Sequence, residues 1–478
     1  MTTVEPRADT ALPFPPGFAW GAATSAYQIE GAAGADGRGV SVWDTFSHAP
    51  GNVHAGETGD VACDSYHRYR EDVALLASLG LTAYRFSVSW PRVQPAGRGA
   101  VNQKGLDYYR ALLDELAEHQ IAAAATLYHW DLPQELQDCG GWAARDTAAR
   151  FAEYAAIVAE ALGDGVSRWI TLNEPQVVAS HGYRTGEHAP GLRDAAAAAA
   201  ATHHLLLGHG LAVRALRGIL PAGTPAGITL DLRPVYELGD QRPDGLARAR
   251  QIIDAELNGL FLDPLLHGRY PAHARADVLP PAALIAPGDM ETICQPLDFL
   301  GVNYYFPVYL RAGDPADLRQ HERPARAGVP GVVEYRPAEL GRTAMGWLVD
   351  PNGLYDLLLS LSRQAPGLEL YVTENGCAAE DYLNQHGQVH DFERVRYLHQ
   401  HLAAAGRAVR DGARLAGYFV WSLLDNFEWA WGYQKRFGIV YVDYETQRRI
   451  PKASARFYSQ VAGTNTVPPL AQAPPGTG

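Results

Sequence analysis

Two glutamates, Glu174 and Glu374, each close a short apolar run and each lie beside an asparagine. The runs read Trp169-Ile170-Thr171-Leu172-Asn173-Glu174-Pro175 and Leu370-Tyr371-Val372-Thr373-Glu374-Asn375-Gly376. Both have strand length and β-branched content, and both break at Pro or Gly. Parallel α/β proteins place their chemistry at the C-terminal ends of strands, so these glutamates predict one site built from two distant strands. A carboxyl pair works as acid and base when its surroundings separate the two pKa values. Arg85, within Tyr84-Arg85-Phe86-Ser87-Val88-Ser89-Trp90, is the candidate cation for keeping Glu374 ionised, which leaves Glu174 as the acid and base.

Other polar and aromatic residues end neighbouring runs. Gln28 and Glu30 follow the first, His129 and Trp130 the third, Asn173 closes the fourth, and Asn303 and Tyr305 end the sixth. Trp421 ends the eighth, whose loop adds Glu428 and Trp429. Amides, a histidine, a guanidinium, carboxylates and indoles in one pocket suit a ligand with many hydroxyls and one apolar face. A pyranose is such a ligand, and two carboxylates flanking a glycosidic bond are the usual machinery for hydrolysing it.

The elements that must position these residues are eight strand-like runs, at 18–24, 83–89, 121–127, 167–172, 227–232, 298–303, 369–374 and 416–421. Helical periodicity separates most of them, at 66–79, 106–119, 148–162, 194–217, 246–262, 353–364 and 392–410. This alternation favours a closed (β/α)8 TIM barrel, of α/β class, over an open doubly wound sheet. No Gly-rich fingerprint follows the first run, which argues against a dinucleotide site. Long connections after the first, fourth, sixth and eighth runs would wall a deep pocket on the catalytic face. The expected organisation is a single barrel domain, 14–462, between loose Pro/Gly-rich tails at 1–13 and 463–478.

A net charge of −13 argues against nucleic acid or an acidic membrane surface as the main partner. No run approaches the roughly 20 apolar residues that span a bilayer, and residues 1–10 lack the apolar core of a signal peptide. The expected location is the cytoplasm. Cys63, Cys139, Cys294 and Cys377 form no CxxC pair, and His203, His204 and His209 fall in an Ala/Leu-rich helical stretch. Reduced thiols are therefore expected, with no metal and no cofactor. Monomer and homo-oligomer both remain open.

Four longer motifs add a resemblance. Phe18-Ala19-Trp20-Gly21-Ala22-Ala23-Thr24-Ser25-Ala26-Tyr27-Gln28-Ile29-Glu30-Gly31 resembles the N-terminal signature of glycoside hydrolase family 1. Thr171-Leu172-Asn173-Glu174-Pro175 resembles its acid/base motif, and Val372-Thr373-Glu374-Asn375-Gly376 its nucleophile motif. Trp421–Trp429 with Gly432–Gly438 is similar to its C-terminal sugar-binding block. The resemblance runs in order from about residue 14 to 460. It implies a retaining double displacement without metal, on small β-glucosides or cello-oligosaccharides, with Glu374 as nucleophile and Glu174 as acid/base. It further implies that Gln28, His129, Asn173, Glu428 and Trp429 hold the sugar, that Tyr305 bonds the nucleophile, and that Trp421 floors the pocket. Trp347 matches an aromatic on the leaving-group side.

Glu428 bears on substrate choice. Relatives acting on sugar 6-phosphates carry a small hydroxyl residue there and a Tyr at the position of Phe437, so the resemblance implies a neutral hexose. The implied activity is an exo-β-glucosidase with some β-galactosidase and β-fucosidase activity. A β-galactosidase, a 6-phospho-β-glucosidase or a catalytically silent sugar-binding barrel remain as alternatives. Gln176 and His181 depart from the usual Trp and apolar residue, which predicts a more polar path for the leaving group.

Overall fold

The eight apolar runs form eight parallel strands that close on themselves, in a computed structural model that describes residues 12–239, 244–326 and 328–469. In chain order they are β1 (Ala19–Ala23), β2 (Ala83–Ser87), β3 (Ala122–Tyr128), β4 (Arg168–Asn173), β5 (Ala226–Asp231), β6 (Phe299–Asn303), β7 (Glu369–Asn375) and β8 (Leu415–Trp421). Each pairs with its sequence neighbours, and β8 pairs with β1, so the sheet has no edge. Their sequences are largely apolar because both faces are covered: one by the barrel interior, the other by helices.

Those helices are α1 (Ser65–Ser78), α2 (Gln103–Glu118), α3 (Asp146–Leu162), α4 (Ala195–Ile219), α5 (Asp244–Asp254), α6 (Leu260–His267), α7 (Pro351–Gln364), α8 (Phe392–Arg410) and α9 (Ala453–Thr464). The periodicity expected over 246–262 is split, since a π-helical turn at Ala255–Gly259 separates α5 from α6. An i→i+5 turn inserts a residue without breaking the apolar stripe, so the pattern reads as one helix.

Inside the barrel, small residues at Ala23, Ala83 and Ala124 face bulky ones at Ile170, Phe299, Tyr371 and Phe419. Gly301 is required by closeness. A Cβ there would lie 2.2 Å from Thr229 Oγ1 and 2.9 Å from Thr373 Oγ1, two groups that position the residues above them.

Two features escaped the sequence reading. A four-stranded sheet forms from Glu322–Pro324, Val332–Tyr335, Val308–Ala312 and Val235–Glu237, packed on Leu246, Ala249 and Ile253 of α5. Its short strands carry Arg311, Glu322, Arg323 and Glu334, so they read as polar loop. The second lies in the expected tails. Residues 1–11 and 470–478 lie outside the described residues, but Leu12–Pro13 pairs antiparallel with Thr466–Val467, and α9 runs to Thr464. Regular structure therefore extends into both segments read as loose. Among the described residues no helix is long and apolar enough to cross a membrane.

Candidate active site

Strand ends bring Glu174 and Glu374 into one hydrogen-bond network. Arg85, on β2 and fully buried, donates from Nη1 to Glu374 Oε1 (2.6 Å) and to the Thr373 carbonyl (3.1 Å). Its Nη2 donates to Asn173 Oδ1 (2.6 Å), and its Nε to Thr126 Oγ1 (3.2 Å). Tyr305 donates its hydroxyl to Glu374 Oε2 (2.8 Å). Asn303 donates from Nδ2 to Glu174 Oε1 (2.7 Å) and to Asn173 Oδ1 (3.2 Å), and accepts from Thr373 Oγ1 (2.8 Å). Glu174 itself turns the chain out of β4 in the left-handed region (φ 47°), and its backbone N–H is held by the Thr229 carbonyl (2.9 Å).

The two carboxyls are thus treated differently. Burial raises the Glu174 pKa well above the usual carboxylate range, and the charges of Glu374 and Asp231 raise it further. Only the Asn303 bond and the more distant Arg233 oppose this. Burial also raises Glu374, but there the Arg85 charge and the bonds from Arg85 and Tyr305 pull back. A cation in contact and two charge-assisted bonds leave Glu374 the more acidic of the two carboxyls, although burial still holds it above the usual range.

The aromatic side of the site is ordered by the same arginine. Because Arg85 donates to Asn173 Oδ1, the Asn173 amide must present Nδ2 to His129 Nε2, 3.0 Å away. His129 Nε2 therefore accepts, and its proton sits on Nδ1, which is buried without a partner. Burial and the Arg85 charge push the imidazole pKa well below its usual value, so the ring is neutral. It lies nearly parallel to Trp421 (5.8 Å) and Trp429 (6.0 Å).

Trp130 spends its N–H on the Asn173 carbonyl (2.9 Å), so it forms wall and carries no free polar handle. Trp429 is further braced by Trp130 and Trp43 at 4.5 Å and by Tyr27, stacked at 6.3 Å. Glu428 is buried with Oε2 unpartnered, and burial together with the Glu374 charge pushes its carboxyl up to about 8. Gln28 clamps this loop: Nε2 donates to the Phe427 carbonyl (2.9 Å) and to Asn426 Oδ1 (3.1 Å), while Ser25 Oγ donates to its Oε1 (2.6 Å). Its amide hydrogens are both committed, and its remaining capacity is one lone pair on Oε1.

Trp347 joins the site through Tyr305 (5.2 Å) and Phe437 (5.8 Å), and Phe437 backs Tyr305 at 6.2 Å. Gln176 and His181 line a separate cavity of about 470 Å3 beside Asp231 and Arg233. Glu30, which the sequence puts at a strand end with the others, is spent elsewhere: Arg92 Nε (2.8 Å) and the Tyr109 hydroxyl (2.6 Å) donate to it. Sequence reasoning missed Tyr27, Trp43 and Asp231. Tyr27 adjoins Gln28, but no local signal marks Trp43. All four cysteines are free thiols. Among the described residues no group of three His, Cys, Asp or Glu is placed to hold a metal ion.

Comparison with known proteins places the whole barrel in one family. The sequence model described as "Glycosyl hydrolase family 1" matches residues 10–467. The chain is 53% identical to thermostable beta-glucosidase B of Thermobispora bispora over 457 residues, covering 95% of this chain and 91% of that protein. It is 45% identical over 455 residues to the bifunctional beta-D-glucosidase/beta-D-fucosidase of Bifidobacterium breve, covering 93% and 97%. The solved family 1 b-glucosidase from Thermotoga maritima superimposes with a TM-score of 0.89 at 45% identity, covering 96% of this chain and 99% of that one.

Proposed function

The chain belongs to glycosyl hydrolase family 1, and from that premise we propose that it is a retaining exo-β-glucosidase releasing terminal non-reducing β-D-glucosyl residues. Glu374 attacks the anomeric carbon while Glu174 gives its proton to the departing oxygen. Glu174, now a carboxylate, then takes a proton from water, and that water releases the sugar from Glu374. One observation carries this assignment: Arg85 and Tyr305 both donate to Glu374, whereas Glu174 receives only a neutral amide from Asn303. The shared link through Asn173 supports the short carboxyl separation that retention needs, about 5–5.5 Å.

Around the sugar, His129 Nδ1 donates, Glu428 accepts, and Trp421 and Trp429 cover the apolar face. A neutral hexose is supported over a 6-phosphate because both cations of the Glu428 loop are committed. Lys435 donates to the Ala344 carbonyl (2.9 Å), and Arg436 to Asp425 (2.7 Å). The named activity of the Bifidobacterium breve relative supports β-fucoside turnover as a side activity, with β-galactosides the next candidate. Small β-glucosides and cello-oligosaccharides from cellulose breakdown are the proposed substrates of a single, cofactor-free barrel domain. Free thiols support a reducing, cytoplasmic setting.

The test is kcat/KM on 4-nitrophenyl β-glucoside, galactoside, fucoside and glucoside 6-phosphate. The expected result is glucoside and fucoside turnover with the phosphate ester unused. Turnover confined to the phosphate, or binding of glucose without turnover, overturns the reading.

A further inference from the structure

Along β7 the pairing register shifts between Val372 and Asn375 against β8, and between Val372 and Glu374 against β6. Such a shift re-aims the side chains of a strand. Thr373 and Glu374 both reach the site, through Asn303 and through Arg85 and Tyr305. Asn375 turns instead into the layer between barrel and helices, where it meets Tyr397 of α8 and Tyr418 of β8. All three are buried.

Asn375 Nδ2 donates to the Tyr304 carbonyl (2.6 Å) and to the Tyr397 hydroxyl (3.0 Å), while the Tyr418 hydroxyl donates to Asn375 Oδ1. A carbonyl only accepts, so the amide must present Nδ2 to Tyr304 and Oδ1 to Tyr418. Without the Tyr418 donor, Oδ1 in this orientation is buried and unpaired. Turning it toward the Tyr397 hydroxyl would satisfy it and give up the bond to Tyr304.

That carbonyl belongs to the peptide joining Tyr304 to Tyr305. Tyr304 is tied on its other side as well: its N–H donates to the Glu374 carbonyl (3.0 Å), and its hydroxyl to the Asp350 carbonyl (2.6 Å). Tyr305 thus starts from a fixed peptide, and its hydroxyl meets Glu374 Oε2 at 2.8 Å.

We infer that Tyr418 is a positioning residue for the nucleophile: its hydroxyl orients the Asn375 amide, which holds the Tyr304–Tyr305 peptide and so aims the Tyr305 hydroxyl at Glu374. The inference rests on Glu374 being the nucleophile of a β-glucosidase.

The test combines Tyr418→Phe, Tyr305→Phe and the double variant, each read by kcat, KM and the pH profile of kcat/KM on 4-nitrophenyl β-glucoside. Tyr418→Phe should lower kcat about tenfold with KM within about twofold. Tyr305→Phe should lower kcat about a hundredfold. The double variant should match Tyr305→Phe within about twofold, because both changes break one link. In all three the acid limb should move to higher pH, since the Tyr305 bond holds the Glu374 carboxyl down. Arg85, Glu174 and Glu428, the other charged groups that act with Tyr305 on Glu374, are untouched.

Asn375→Leu breaks the same link from β7 and should show the same non-additivity with Tyr305→Phe, so a folding failure of one variant leaves the other to decide. Tyr154→Phe removes a buried hydroxyl of α3 that donates to the Val88 carbonyl (2.9 Å), and should leave kcat and the acid limb as in the wild type. Effects that multiply in the double variant, an unmoved acid limb in Tyr418→Phe, or an equal effect from Tyr154→Phe overturn the positioning role alone. Absence of turnover by the wild type on every β-glucoside overturns the function beneath it.

Discussion

Arg85 and Asn173 are joined by a 2.6 Å hydrogen bond that fixes which way the Asn173 amide points, and through it which nitrogen of His129 carries the proton. One guanidinium thus contacts Glu374 and, through Asn173, orders the His129 imidazole. The consequence for substitution is asymmetric. Lysine retains the charge but cannot reach Glu374, Asn173 and Thr126 together. Arg85→Lys should therefore lower kcat and raise KM, where loss of charge stabilisation alone would spare KM. Initial-rate kinetics on 4-nitrophenyl β-glucoside separate the two.

Glu374→Gly should lower kcat by about a millionfold, as loss of a nucleophile does elsewhere. Added azide should restore turnover on an activated aryl glucoside and yield the α-glucosyl azide, identified by proton NMR. Glu174→Gln should instead slow cleavage of methyl glucoside by about a hundredfold or more, yet barely touch formation of the glycosyl-enzyme from 2,4-dinitrophenyl glucoside, whose leaving group needs no proton. Equal losses on both substrates would contradict the division of roles.

Glu428 gives a pH dependence of stability. Its folded pKa, about 8, exceeds the ordinary 4.5, so the folded state binds more protons between those values. Stability is then full below about pH 4.5 with respect to this group, and falls as pH rises toward 8. Glu428→Gln, neutral throughout, should reduce the fall in Tm between pH 5 and pH 8. Calorimetry on both proteins checks it, and identical slopes would remove Glu428 as the cause.

Gln176→Trp places an indole in the wall of the cavity of about 470 Å3 beside Asp231 and Arg233, where it tests the expected polar path for the leaving group. The ratio of kcat/KM for an aryl glucoside over cellobiose should rise severalfold, because stacking is gained and the free Oε1 acceptor is lost. An unchanged ratio would mean that this side chain does not meet the leaving group.

Glu30 provides the counter-test of a strand-end carboxylate with no catalytic part. Arg92→Met would leave it buried with only the Tyr109 hydroxyl, at a cost of about 3–5 kcal/mol for breaking a buried pair. Urea titration should register that loss, while the glucoside-to-fucoside ratio of the surviving enzyme stays put.

The barrel strands were legible because each is a short apolar run ended by a turn residue, and observed and expected limits differ by at most two residues. Glu174, Glu374 and Arg85 were legible for the same reason: strand ends face one way in a closed parallel sheet. What stayed hidden depends on pairing across the chain. Gln28 reaches Phe427 and Trp43 braces Trp429, and no local pattern announces contacts of such separation. Glu30 misled because position after a strand says nothing about which neighbour claims the side chain. The small sheet hid behind charged residues that pair with each other, Arg311 with Glu322 and Arg323 with Glu334.

The pairing of Leu12–Pro13 with Thr466–Val467, locked by Trp20 Nε1 donating to Asn465 Oδ1 (2.9 Å), joins both ends of the described chain where β1 begins. Strands leave that floor and finish at the mouth where Glu174 and Glu374 stand. A domain tethered to either end would hang beneath the barrel, out of the substrate's route. A few residues of linker would also suffice to make the chain circular, moving the termini elsewhere without disturbing the catalytic rim.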